Sequence, residues 1–355
     1  MRVGDLGLRD ADVVPCGLRT ACRNDEVCTG GAMRRLLVAL AAGALLATAS
    51  ACGSSGGSGA SGSGSSSGGT ATVKLGLVPI VDVAPVYLGQ KKGFYGRHGL
   101  RLQISKASSG AAIVPGVAGG QFQFGFSNVT SLLIARTNGV PVKAVSNAIA
   151  STGLAGKDFA GVAVKKGSPI RSAKDLEGTK VAINALRNIN ESAVRESVRK
   201  DGGDPDKVSF VELPFDQMPA ALDAGQVDAA CAVEPALAAI KGQGGQVIAS
   251  PLVDVAANTT VALYFTSERY QQQNADVVKR FQQATAESLA YADAHPDEAR
   301  QIATTYTKIP APVLEQVILP KWPAEPDKAS IEALAKLGEK DGFFKKTPDV
   351  DALLP

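Results

Sequence analysis

Residues 73–100 read VKLGLVPIVDVAPVYLGQKKGFYGRHGL, and they decide the fold class. Val73, Leu75 and Leu77 alternate with Lys74 and Gly76, the period of a strand with a buried face. A helix follows, with Asp82 placed to cap it, Pro85 tolerated in its first turn and Gly93 ending it. The loop from Pro79 to Asp82 therefore joins the carboxyl end of a strand to the amino end of a helix, where free backbone N–H groups and the helix dipole favour a polar or anionic ligand. The same segment also reads as an ordinary strand-to-helix turn that binds nothing.

Outward from this unit the alternation continues. Strands are predicted over 73–78, 101–105, 122–126, 142–146, 161–165, 180–184, 208–212, 227–232, 246–249 and 260–266. Helices are predicted over 83–92, 110–119, 127–138, 190–201, 217–224, 235–241 and 270–294, with a helical, proline-broken remainder from Pro296. This rhythm specifies an α/β fold with largely parallel sheets. One sheet rarely absorbs so many strands, so two lobes are expected. The pattern breaks at Thr152 to Phe159 and again near Ala257 to Thr260. With both breaks as crossovers, lobe I is 72–157 together with 260–355, lobe II is 158–259, and a ligand would lie in the cleft between them.

The amino-terminal part has a different character. Residues 1–32 carry charges and three cysteines without periodicity, which fits a mis-assigned extension, and Met33 is the preferred start. Arg34 and Arg35 precede the apolar run Leu36–Leu46, so 33–51 has the form of a secretory signal, shorter than the ~20 residues that span a bilayer. Ala49-Ser50-Ala51-Cys52 resembles a bacterial lipoprotein box, with Ala49 where leucine is usual, and Cys52 is the expected lipidation site. The span 52–71 is a Gly/Ser tether: the 53–69 stretch reaches roughly 20–25 Å as a flexible coil. An extracytoplasmic domain held by lipid at the outer face of the membrane is the reading that follows.

Composition excludes several classes. A net charge of +3 without a long basic run disfavours nucleic acid. His98 and His295 have no cysteine or carboxylate at ligand spacing, so no metal is expected. After Cys52 only Cys231 remains, which leaves no intramolecular disulfide for the folded part. There is no G-x-S-x-G elbow and no histidine paired with Cys231, so no catalytic residue and no cofactor are assigned.

Three segments carry a family likeness: APVYLGQKKGFYGRHGLRLQI (84–104), GVAGGQFQFGFSN (116–128) and LPFDQMPAALDAGQVDAACAVEP (213–235). In this order, behind a lipoprotein signal and a tether, they resemble the substrate-binding proteins of ABC importers for nitrate, sulfonates, taurine and thiamine-precursor pyrimidines. The resemblance covers nearly all of 72–345. It implies the two-lobed type II periplasmic-binding-protein fold with two crossovers, capture of a small polar solute by cleft closure, and a membrane permease and an ATPase as partners; a monomer is the default expectation. A eukaryotic branch of that superfamily makes a thiamine pyrimidine with a cysteine-rich motif and a sacrificial histidine, and this chain has neither. A lipid-anchored sensor or interaction protein on the same fold is the alternative, since fold does not fix function.

Six residues are expected to touch the ligand. Ser127 and Asn128 follow a strand and open a helix, suiting a polar head group or a plain N-cap. Asn188 and Asn190 open the helix after KVAINA, with Asn188 and Glu191 spaced as a capping pair and Arg187 beside them. The resemblance places Glu234-Pro235 at the cleft, and carboxylates at Glu234 and Asp82 would favour a zwitterionic or neutral solute over a bare anion. Tyr87, Phe215 and Tyr264 are candidate cleft walls that serve equally as core.

Overall fold

Two five-stranded sheets organise the chain. The computed structural model describes residues 69–308 and 310–355; the extension, the signal, Cys52 and nearly all of the tether lie outside them. The first sheet contains β1 (Ala71–Leu77), β2 (Leu100–Lys106), β3 (Phe124–Asn128), β4 (Val142–Ala150) and β10 (Thr260–Ser267), in the order β2-β1-β3-β10-β4. The second contains β5 (Ala160–Val164), β6 (Lys180–Ile183), β7 (Ser209–Glu212), β8 (Ala229–Val233) and β9 (Gln246–Ala249), in the order β7-β6-β8-β5-β9.

Each sheet is largely parallel, with four of its five strands running the same way and one running against them. β1 runs parallel to β2 and β3, and β6 parallel to β7 and β8. β10 is antiparallel to β3 and β4, and β5 to β8 and β9. Both exceptions are the strands by which the chain arrives from the other lobe: entering at the carboxyl ends of their neighbours, they must run against them. The crossovers lie side by side, and the Ser151 N–H donates to the Thr259 carbonyl at 2.9 Å.

The leading unit forms much as its pattern indicates. Val73, Leu75 and Leu77 are fully buried, the helix spans Ala84–Lys91 with Pro85 in its first turn, and Gly93 takes the left-handed conformation. The predicted helix 270–294 is instead two helices, Glu268–Gln273 and Ala275–Ala294, broken at Asn274. The carboxyl-terminal segment packs on both lobes. Helix Ala311–Leu314 lies against Ala236–Gly242, and helix Lys328–Lys340 contacts both Val129–Thr137 and Ile189–Lys200.

Candidate functional site

Loops at the carboxyl ends of strands from both sheets converge on one cleft, an open cavity of about 500 Å³. Val78–Ile80 follow β1, Lys106–Ser108 leave β2, Pro214–Gln217 follow β7, and Thr305–Lys308 close one side. A smaller neighbouring space of about 280 Å³ shares Pro79, Ile80, Phe215 and Asp216 and reaches Pro235. None of the six residues expected from sequence lines the larger cavity.

Asp82 follows the cavity-lining Ile80 by two residues. It sits in a short turn, Val81–Val83, and makes no capping hydrogen bond to the following helix, whose N-cap position is Val83. Its side chain is buried and Oδ1 has no hydrogen-bond partner, while its carbonyl accepts from the Trp322 indole at 3.1 Å. Burial pushes its carboxyl up to about 8, against a hydrogen bond from its own backbone and with a smaller push from the Asp158 charge. At neutral pH this group is largely the protonated acid, able to donate as well as accept.

The two pairs of helix-opening residues are engaged locally. Asn128 accepts the Ser131 N–H at 2.9 Å as the N-cap of Val129–Thr137. Ser127, fully buried, reaches only the Asn128 carbonyl, at 3.4 Å. Gly110 presses on it: a Cβ there would come within 2.4 Å of the Ser127 hydroxyl and 2.6 Å of its Cα. Asn188 caps Ile189–Lys200 by accepting from the N–H groups of Asn190 and Glu191, at 3.0 and 3.2 Å. The side-chain amides of Asn188 and Asn190 both donate to Asn184 Oδ1 at 2.8 Å. Glu191 reaches past the cap to the Arg187 N–H at 2.7 Å and pairs with Arg195 at 3.1 Å. Arg187 itself donates to the carbonyls of Gly342 and Phe343.

Glu234 ties the lobes together. Its carbonyl accepts the Val81 N–H at 3.3 Å; Oε2 accepts from Ala238 at 2.8 Å, and Oε1 from the Ile318 N–H at 3.4 Å. The residue is fully buried, and burial pushes its carboxyl up to about 7 against those hydrogen bonds and the Lys241 charge.

The cavity walls include groups that local sequence did not mark. Tyr306 donates its hydroxyl to the Ile80 carbonyl at 3.2 Å and stacks on Tyr87, with ring centroids 3.9 Å apart and planes 8° from parallel. Lys106 Nζ donates to the Tyr306 carbonyl at 3.0 Å, and Lys308 pairs with Asp216 at 3.2 Å. Tyr306 falls in the stretch whose prolines obscure any periodicity. Phe215, already a candidate wall, does line the cavity. Tyr264 instead packs among Phe126 and Phe281 in the core. Cys231 is buried in β8, where burial holds its thiol at about 12, and no group of three or more potential metal ligands occurs among the described residues.

Residues 80–299 match the family model described as NMT1/THI5 like. The riboflavin-binding protein RibY of Chloroflexus aurantiacus is 28% identical over 248 residues, which are 66% of this chain and 66% of that protein's own length. The alkanesulfonate-binding protein SsuA of Xanthomonas axonopodis pv. citri, solved with MOPS bound, superposes with a TM-score of 0.68 at 17% identity over 81% of this chain and 99% of that one. The periplasmic nitrate-binding protein NrtA of Synechocystis PCC 6803 gives 0.69 at 18% identity over 81% and 86%. This chain belongs to the NMT1/THI5-like family and has the two-lobed fold of the type II periplasmic binding proteins.

Proposed function

We propose that the chain is the solute-binding component of an ABC importer, capturing a small polar solute by closure of the cleft and delivering it to a membrane permease driven by an ATPase. The observation that carries this is the cavity of about 500 Å³ walled by loops from both lobes, within the size range of small-molecule sites. Closure about the paired crossovers would let ligand contacts from both lobes favour the closed state. In this reading Asp82, buried with an unpartnered Oδ1 two residues beyond the cavity-lining Ile80, backs the cavity wall rather than touching the solute in the open cleft. Ser127, Asn128, Asn188 and Asn190 fix the openings of their helices, and Glu234 ties the lobes. The protein works as a monomer without catalytic residues, outside the cytoplasm, and Cys52 with the Gly/Ser tether holds it at the membrane.

A thermal-shift screen of the protein against riboflavin, pyrimidines, taurine and other sulfonates, nitrate and amino acids tests the reading. A true ligand at 100 times its dissociation constant stabilises by about 2.7 kcal/mol, enough to name the class. A flat response to the whole panel would overturn solute capture in favour of the sensor reading.

A further inference from the structure

We infer that the amino ends of the lobe I strands form a basic pole that docks on anionic lipid headgroups, with the cavity turned away from the membrane. This rests on the membrane-tethered part of the proposed function and adds the surface that meets the lipid. The chain is nearly balanced at +3, but its charge is unevenly placed. Residues 70–157 hold nine lysines and arginines against one acid, Asp82, which is buried. Topology gathers much of this charge at one end. β1, β2, β3 and β4 run the same way, so their amino ends lie together, and the antiparallel β10 brings its carboxyl end to the same side. Arg101 donates to the Thr72 hydroxyl at 2.9 Å, the Lys74 N–H to Gln123 Oε1 at 2.8 Å, and the Thr266 hydroxyl to the Gln123 carbonyl at 2.6 Å. Lys143 stands opposite Thr266 in the β4–β10 register, and the Arg269 guanidinium lies 3.5 Å from the Cβ position of Gly120. Helix Ala275–Ala294 starts here too, with Arg280 donating to the Gly99 carbonyl at 2.9 Å just before β2.

The acids at this end are taken up. Glu268 pairs with Arg136 at 2.7 Å, Asp276 with Arg280 at 2.9 Å and Glu287 with Arg97 at 2.5 Å. Lys74, Arg101, Lys143, Arg269 and Lys279 have no ion-pair partner among the described residues, and all but the half-buried Lys143 are exposed. Two observations select a membrane as what covers them. β1 begins at Ala71, so the Gly/Ser segment leading back to Cys52 joins the domain at this end. The seven residues of β1 then separate the pole from Val78–Ile80 at the cavity by about 20 Å. Headgroup phosphates within reach of the tether meet these unpaired cations, each of which strengthens attraction to an anionic surface several-fold. In that pose the cleft opens to solvent for capture, and delivery requires release from the lipid.

The full chain carrying Cys52→Ser, and therefore unacylated, is sedimented with vesicles of phosphatidylglycerol or of phosphatidylcholine. Preference for phosphatidylglycerol is expected, lost at about 1 M salt, where screening acts within ~3 Å. Lys74→Ala and Arg269→Ala should each weaken binding to phosphatidylglycerol about fivefold without moving the melting midpoint. Lys166→Ala, at an exposed lysine of lobe II, should leave it unchanged. Equal partitioning to the two lipids, or losses at Lys74 and Arg269 no larger than at Lys166, would overturn the docking pole. Because neither an acyl chain nor a solute takes part, that result would leave anchoring at Cys52 and solute capture standing.

Discussion

Replacement of Asp82 by asparagine should reverse its effect on stability between acid and mildly alkaline pH. The carboxyl of Asp82 ionises near 3.8 in an ordinary environment and at about 8 in the fold. Between those values the folded protein holds a proton that the unfolded chain releases, so stability falls as pH rises across the window. At about 1.4 kcal/mol per pH unit, the difference of 8 − 3.8 costs roughly 5 kcal/mol by pH 8 and almost nothing at pH 4. Asparagine keeps the shape and never ionises, but its buried NH₂ adds an unpartnered donor worth roughly 1–3 kcal/mol. Asp82→Asn should thus be more stable than the wild type by about 2–4 kcal/mol at pH 8, and less stable by about 1–2 kcal/mol at pH 4. At about 2 °C per kcal/mol in a domain of this size, the gain at pH 8 is 4–8 °C. Urea melts of both proteins from pH 4 to 8 measure it directly. Parallel stability curves, or an asparagine variant less stable throughout, would refute the argument that burial holds this carboxyl protonated.

Two further perturbations follow from the same geometry. Glu234→Ala leaves the N–H groups of Ala238 and Ile318 without their acceptor and should cost about 1–3 kcal/mol for each that stays buried, read from the denaturation midpoint. Emission from Trp322, the single tryptophan, should shift as the segment carrying Ile318 loosens; an unchanged midpoint and spectrum would remove Glu234 as a tie between lobes. Gly110→Ala drives a methyl against both the hydroxyl and the Cα of Ser127, and because backbone cannot swing aside it should destabilise by about 1–3 kcal/mol. The same substitution at Gly96, which has open space around its Cβ position, should leave the midpoint nearly unmoved.

Local sequence determined the elements of this protein. The alternation at Val73–Leu77, the capping side chains of Asn128 and Asn188 and the stop at Gly93 act within a few residues, so each is legible without knowing what packs nearby. The two-lobed plan was legible too, because strands and helices alternate through more strands than one sheet absorbs. Tertiary structure decided the rest. β5 and β10 run against their neighbours because the chain enters each sheet from the other lobe, a direction no local pattern encodes. Asp82, a plausible cap by position, is instead a buried acid because the turn at Val81–Val83 takes its side chain out of reach of the helix N–H groups. Glu234 meets Ile318, and Phe215 lines the same cavity as Tyr306, across separations of 84 and 91 residues. Which side chains share a cleft depends on how two sheets come together, and that is settled by burial summed over the whole domain rather than by the residues on either side.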